Sequence, residues 1–176
     1  MLESLMRAFR IPELKKRIYF DLLMFAIFVL GAHIPVPGIN HDKLEALFGG
    51  GGFLGLVDVF SGGALRKMTI FAMGITPYIN ASIIMQMLTL AIPSLEAMSK
   101  EGEAGRKQIA KITRYLTIVL AFLQALGFSF SFRAAAIGLL GVFQMCLVMT
   151  AGTAFLLWLG EQVTERGIGN GVSLVI

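Results

Sequence analysis

Apolar residues run along this chain in stretches long enough to cross a bilayer, separated by short polar and mostly basic segments. About 20 apolar residues cover the roughly 30 Å of hydrocarbon in a membrane. Four stretches approach that length: 18–34, broken only by Asp21 near its start and His33 near its end, then 68–92, 115–132 and 135–158. A fifth apolar run begins at Val172 and occupies 172–176. The pattern predicts an all-α membrane protein, a polytopic helical bundle. Its connections are an N-terminal segment 1–17, a segment 35–67 on the far side, and loops 93–114 and 159–171 on the near side. Ahead of the first span, Leu2, Leu5, Met6 and Phe9 recur at i, i+3, i+4 and i+7, and Pro12 closes the run. This reads as a short basic amphipathic helix on the membrane surface, or as a plain basic anchor. A cleaved signal peptide fits less well, since Asp21 interrupts the run and no Ala-x-Ala site follows.

The second stretch is irregular. A continuous helix over 68–92 would be about 37 Å long, but it contains Gly74 and Thr76-Pro77, and the residue before a proline is pushed out of helical geometry. From Pro77 onward about 24 Å of helix remains, short for a full crossing, and broken spans are tolerated only where they are buried in protein or line a cavity. Upstream, Gly49 to Gly52 and Ser61-Gly62-Gly63 bracket the eight largely apolar residues 53–60, a helix of about 12 Å with a glycine hinge at each end. A movable element dipping back into the membrane and a static re-entrant loop both fit. After Pro77, Ile75, Ile79 and Ile83 recur every four residues, while Asn80, Ser82, Gln86 and Thr89 add polar groups to the same short helix. Spacing alone makes the first set a lipid-facing or packing surface and the second interhelical glue.

Composition narrows the class. Hydrophobic residues make up 56% and charged residues 15%, against about 25% charged in a typical soluble domain. Disorder is excluded, and a lone Cys146 excludes a disulfide scaffold. Net charge is +4 and the isoelectric point about 9.5. The placement of the charge carries more than its sum: eleven Lys and Arg fall in 1–17, 94–114 and at Arg166, against Lys43, Arg66, Lys67 and Arg133 on the other side. The positive-inside rule then puts the N-terminus in the cytoplasm. No catalytic constellation, metal set or cofactor motif is present, so the chain is not expected to be an enzyme. His33 and His41 lack further ligands, and the glycine-rich 167–171 lacks a Walker lysine and reads as a flexible turn. Asn80-Ala81-Ser82 is a sequon placed inside the membrane and is discounted. Gln124 and Gln144 are expected to join spans three and four.

Six runs then carry a resemblance. Ile11-Pro12-Glu13-Leu14-Lys15-Lys16-Arg17-Ile18, Ile34-Pro35-Val36-Pro37-Gly38 and Phe60-Ser61-Gly62-Gly63 are the first three. Gly74-Ile75-Thr76-Pro77-Tyr78-Ile79-Asn80-Ala81-Ser82-Ile83-Ile84, Lys100-Glu101-Gly102-Glu103-Ala104-Gly105-Arg106-Lys107 and the stretch from Trp158-Leu159-Gly160-Glu161 through Gly169-Asn170-Gly171 follow in order. Together they resemble the SecY family, the main subunit of the bacterial protein-conducting channel. The resemblance implies the first half of an inverted repeat of five plus five spans around an hourglass pore, ending early in the fifth span. The chain is therefore expected to be a fragment or a truncated reading frame.

The resemblance also implies roles. About 52–64, with Phe53, Leu54, Leu56, Val57, Val59 and Phe60, would be the plug; four consecutive glycines ahead of it depart from the family pattern. Ile75 and Ile79 would belong to the apolar pore ring, with Ile83 facing the pore or beside it. Asn80 and Gln86 would lie on the lateral gate, through which signal sequences reach membrane lipids. Lys100, Arg106, Lys107 and Lys111 would meet cytoplasmic partners, the SecA motor or the ribosome, where residues alone read a solvated, topology-setting loop. SecE and SecG would be partner subunits, unfolded preproteins the cargo, and the bacterial inner membrane the location. Physically, a ring of Ile side chains stays dry when empty yet makes no specific bonds to a passing chain. The rival reading is a small-solute secondary transporter with a broken helix. It would need convergent polar groups where Ile75 and Ile79 stand.

Overall fold

The computed structural model describes residues 12–40, 67–133, 136 and 138–175. The expected amphipathic N-terminal helix and the expected plug, with Phe53, Leu54, Leu56, Val57, Val59 and Phe60, lie outside these residues. Among the described residues six helices follow in order: α1 Pro12–Gly31, α2 Thr76–Ala91, α3 Pro93–Lys100, α4 Glu103–Ser131, α5 Gly138–Arg166 and α6 Gly171–Val175. Among the described residues, α4 and α5 are each long and apolar enough to cross a membrane, and α2 with α3 forms a pair bent by 101°.

Helix starts follow proline and glycine. Pro12 opens α1 in the first-turn position where its missing N–H costs nothing, so Lys15, Lys16 and Arg17 lie within the helix. The bend between α2 and α3 falls at Ile92, whose extended backbone (φ −109°, ψ 113°) is what Pro93 imposes on its predecessor. The segment 93–114, expected as a loop, is instead helical except at Glu101 and Gly102. Its charges are helix formers at i, i+4 spacing, with Lys100 Nζ 2.6 Å from Glu96 and Lys107 Nζ 3.0 Å from Glu103. Likewise α5 runs past Trp158 to Arg166.

The helices pack in the lateral order α2, α4, α5, α1, with α6 against α5 and α3 closing over α2 and α4. The buried face of α4 is a stripe of small residues, Gly105, Thr113, Thr117, Ala121, Ala125 and Ser129, mostly four apart. Small residues let helix backbones approach closely where lipid offers no hydrophobic drive to associate. Thr113 and Thr117 each donate to the carbonyl four residues back, at 2.8 and 2.7 Å, so their hydroxyls are satisfied within the helix. Connectivity puts residues 12–17, 92–102 and 166–171 at one end of the bundle and 31–40, 67–75, 131–133, 136 and 138 at the other.

Residues 67–75 form a buried run of turns instead of the first part of a span. Val36 N–H donates to Met68 O at 2.8 Å, Ile70 N–H to Ile34 O at 3.0 Å, Ala72 N–H to Thr69 O at 2.9 Å and Gly74 N–H to Phe71 O at 2.8 Å. Phe71 lies parallel to both Phe28 of α1 (5.9 Å between centroids) and Phe155 of α5 (6.1 Å), and the ladder continues to Phe25 and Trp158. Glycine makes room on both sides: a Cβ on Gly31 would strike the Phe71 ring, and one on Gly152 would strike the Ile70 carbonyl. Phe71→Ala should therefore lower unfolding stability in detergent by about 3 kcal/mol, the low end for emptying a buried aromatic site. Gly152→Leu should be at least as damaging, because backbone blocks the space. Equilibrium unfolding of both variants by SDS titration measures this.

Candidate pore face and gate helix

The expected pore and gate residues lie on or beside α2, so its placement decides what each of them does. Pro77, Ala81 and Met85, one turn apart, are the buried positions, and α2 packs on α4. The opposite side carries Ile79, Ile83, Met87 and Leu90, which no other described element covers. Ile79 is 37% and Ile83 49% exposed, whereas Ile75 is 7% exposed. The expected stripe is thus divided. Ile75 is the residue before the helix, with φ −97° and ψ 3°, and a four-residue period does not carry across a helix start. It packs in a cluster with Met24, Phe71, Leu156, Leu159 and Val163. Of the two residues expected in the ring, only Ile79 is open on this half.

Asn80 and Gln86 are not brought together. Six residues at 100° each place them about 120° apart around α2, so they flank the apolar stripe on its two sides. Gln86, with Tyr78, Ser82, Met85 and Thr89, faces a cavity of about 530 Å³ between α2, α3 and α4. Arg106, Ile109, Ala110 and Thr113 of α4 line its other wall. Thr89 Oγ1 donates to Met85 O at 2.7 Å, and the Gln86 amide makes no hydrogen bond among the described residues.

The loop cations divide as well. Lys100 and Lys107 are paired with Glu96 and Glu103, Arg106 reaches the cavity, and Lys111 is exposed on α4. Among the described residues neither Arg106 nor Lys111 forms an ion pair. Arg114 on α4 instead binds Glu161 on α5 with Nε at 2.8 Å from Oε1 and a second contact from Nη2 to Oε2. The expected bond between Gln124 and Gln144 is absent: Gln144 Oε1 sits beside Gly38, in the turn that leads away from α1. His33 Nδ1 lies 2.8 Å from the Val29 carbonyl oxygen and so caps the end of α1.

One arrangement was not anticipated from the sequence. Arg17 Nη1 donates to the Gly167 carbonyl at 3.1 Å, and the Ile168 N–H donates to Asp21 Oδ2 at 2.9 Å. The available signal was a cation and a carboxylate at i, i+4 on one face, the carboxylate set within an otherwise apolar run; such residues usually have a named partner.

The geometry can now be set beside known proteins. A family model described as SecY matches residues 69–176. The chain belongs to the SecY family. The SecY translocase subunit of Bacillus subtilis is 48% identical over 184 residues that cover 100% of this chain and 42% of that relative. The subunit of Pseudomonas aeruginosa is 49% identical over 172 residues, covering 94% of this chain and 39% of its own length. The chain therefore spans less than half of the curated SecY relatives it matches. Among solved structures, a SecY protein whose plug domain stabilises the closed state of its channel superposes with a TM-score of 0.61. That match covers 91% of this chain and 34% of the other at 23% identity. Sec61 from a canine ribosome–channel complex gives 0.63 over 92% and 35% at 22% identity, which is a likeness of fold. Membership of SecY makes this a multi-pass membrane protein and sets aside the small-solute transporter.

The face assignment on α2 is directly testable. With Cys146 replaced by alanine, single cysteines at Ile83 and Met87 should react with a water-soluble maleimide in detergent about tenfold faster than cysteines at Ala81 and Met85, since thiol reactivity follows access. Equal rates at all four positions would show that α2 does not hold this rotation.

Proposed function

We propose that the chain is the N-terminal half of a channel-forming translocase subunit. It would pass unfolded preproteins across the bacterial inner membrane and release transmembrane segments sideways into lipid. The observation that carries this reading is the uncovered apolar face of α2 on a span too short to cross alone. A polypeptide in transit has peptide groups that lipid cannot satisfy, so it needs a wet path. Ile79, with Ile83 a turn below, gives that path an apolar collar that makes no hydrogen bond to cargo and so accepts any side chain. The second half would supply the opposing wall. Asn80 and Gln86, at the two borders of the stripe, fit a lateral gate where pore water gives way to lipid.

The remaining assignments follow the family. Residues about 52–64 would plug the pore, and Ile75 would belong with Ile79 to its apolar ring. SecE and SecG would be neighbouring subunits, with SecA and the ribosome as cytoplasmic partners; a Sec61 relative of the same fold is seen in a ribosome–channel complex. Arg106 and Lys111, without ion-pair partners among the described residues, are the cations best placed to meet them. Lys15, Lys16, Arg17, Lys100, Arg106, Lys107, Lys111, Arg114 and Arg166 gather at one end of the bundle, with Lys67 and Arg133 at the other. That asymmetry supports a cytoplasmic N-terminus. The role needs no catalytic group from this chain and no cofactor.

The decisive experiment places a single photo-crosslinker at Ile79 in a protein of the relatives' full length carrying this half, then stalls a secretory protein in mid-transit. Crosslinks should form from Ile79 and Ile83 and be absent from a crosslinker at Phe143, on the exposed outer part of α5. A stalled chain that never touches Ile79 overturns the pore assignment. Deleting 53–60 from the same protein should raise resting ion conductance; an unchanged conductance overturns the plug.

A further inference from the structure

Arg17 and Asp21 lie one turn apart on α1 and reach the same place from two sides. The Gly167 carbonyl that accepts from Arg17 and the Ile168 N–H that donates to Asp21 are the two ends of a single peptide unit. A cation holds its oxygen and a carboxylate holds its hydrogen. The peptide dipole is thereby fixed in orientation as well as position, which neither bond would do alone. Charge assistance makes both bonds stronger than neutral ones.

The local sequence is adapted to this grip. A Cβ on Gly167 would run into Asp21 Oδ1 and into the Val163 carbonyl, so the close approach requires glycine for space. Asp21 Oδ1 itself is buried there and has no hydrogen-bond partner among the described residues. Leaving a carboxylate oxygen unsatisfied is a cost, so Asp21 is better explained by what its other oxygen holds than by a gain in stability. Just beyond, Ile168 leads to Asn170, whose Oδ1 accepts from Val172 N–H at 3.0 Å. Thr164 Oγ1 accepts from Gly171 N–H at 2.9 Å while donating to Gly160 O. The turn from α5 into α6, expected to be flexible from its glycines, thus carries hydrogen bonds at both of its ends. Among the described residues, the hydrogen bonds at 167–168 are the ones that reach this turn from outside the α5–α6 hairpin.

We propose that Arg17 and Asp21 are positioning residues for the fifth span: through the 167–168 peptide, α1 sets where and at what angle the chain re-enters the membrane after α5. The proposal rests on the reading above only in treating residue 171 onward as the start of a span. It concerns the placement of α6, which is measurable whether or not the chain conducts protein.

The test is a distance distribution by pulsed electron spin resonance on the chain in lipid nanodiscs. Spin labels go at Phe143, exposed on α5, and Ser173, exposed on α6, with Cys146 replaced by alanine. The parent should give a narrow distribution. Asp21→Ala and Arg17→Met free the turn to move as a loop, and the width should roughly double. Asp21→Asn and Arg17→Lys, which keep an acceptor and a donor, should stay close to the parent. Gly167→Ala attacks the same contact from the turn and should broaden the distribution even where Asp21→Ala is too poorly folded to measure. A variant that merely loses stability would unfold at lower denaturant without changing this width. The proposal is overturned if the parent is already broad, if neither Asp21→Ala nor Gly167→Ala changes the width, or if Asp21→Asn broadens it as much as Asp21→Ala.

Discussion

Everything about α2 depends on how residues 67–75 satisfy their peptide groups. Away from water an unpaired N–H or C=O costs too much to tolerate, which is why spanning segments are normally helical. Here the chain leaves helical geometry and finds its partners elsewhere: residues 34–36 serve as a short antiparallel edge, and local turns close the rest. The arrangement survives because it is enclosed. Phe71 fills the gap between α1 and α5, and Gly31 and Gly152 remove the side chains that would hold the ring and the Ile70 carbonyl away. Since α2 can start only where this segment ends, its short length and its rotation are consequences of that enclosure.

The same logic places α5 at the centre of the bundle. At the end bearing 67–75 its contacts are close packing, with Met145, Cys146 and Met149 against Ala121 and Ala125 of α4. At the other end they are charged and directional: Glu161 to Arg114, and the turn after Arg166 to Arg17 and Asp21. Packing without a hydrophobic drive defines how near two helices come but leaves their axial register soft. Charge-assisted bonds at a helix end fix register and cost least near the interface, where water reaches them. Close packing at one end and hydrogen bonds at the other therefore do different work.

Much of this was legible in the residues, for identifiable reasons. Pro77 marked the start of α2 because a proline's effect on its predecessor is local and needs no tertiary information. The centres of α4 and α5 were legible because long apolar runs have few alternative fates. Their near-side extensions were not, because Glu103 to Arg114 reads as a charged loop until its i, i+4 pairing is weighed as a helix signal. Ile75 does not share the face of Ile79 and Ile83, because a helical period does not carry across the break before Thr76. Gln124 and Gln144 were paired by depth alone, which does not reveal that Gln144 Oε1 lies beside Gly38. Asp21 was seen as an interruption because its partner lies 147 residues away. Long-range polar contacts of that kind leave no periodic trace.

The borders of the α2 stripe carry the last consequence. Ile79, Ile83, Met87 and Leu90 are as comfortable against lipid as against protein, so their exposure alone specifies no neighbour. Gln86 is different. Its amide is exposed and faces a cavity that Ser82, Thr89, Arg106 and Thr113 also line, so the surface on that side of the stripe is polar. Water or another polar group suits the Gln86 side, while lipid is tolerable along the isoleucines. This short helix thus presents an apolar middle with a polar residue at each border. The break before Thr76 is what turns this face away from α4 and leaves it open.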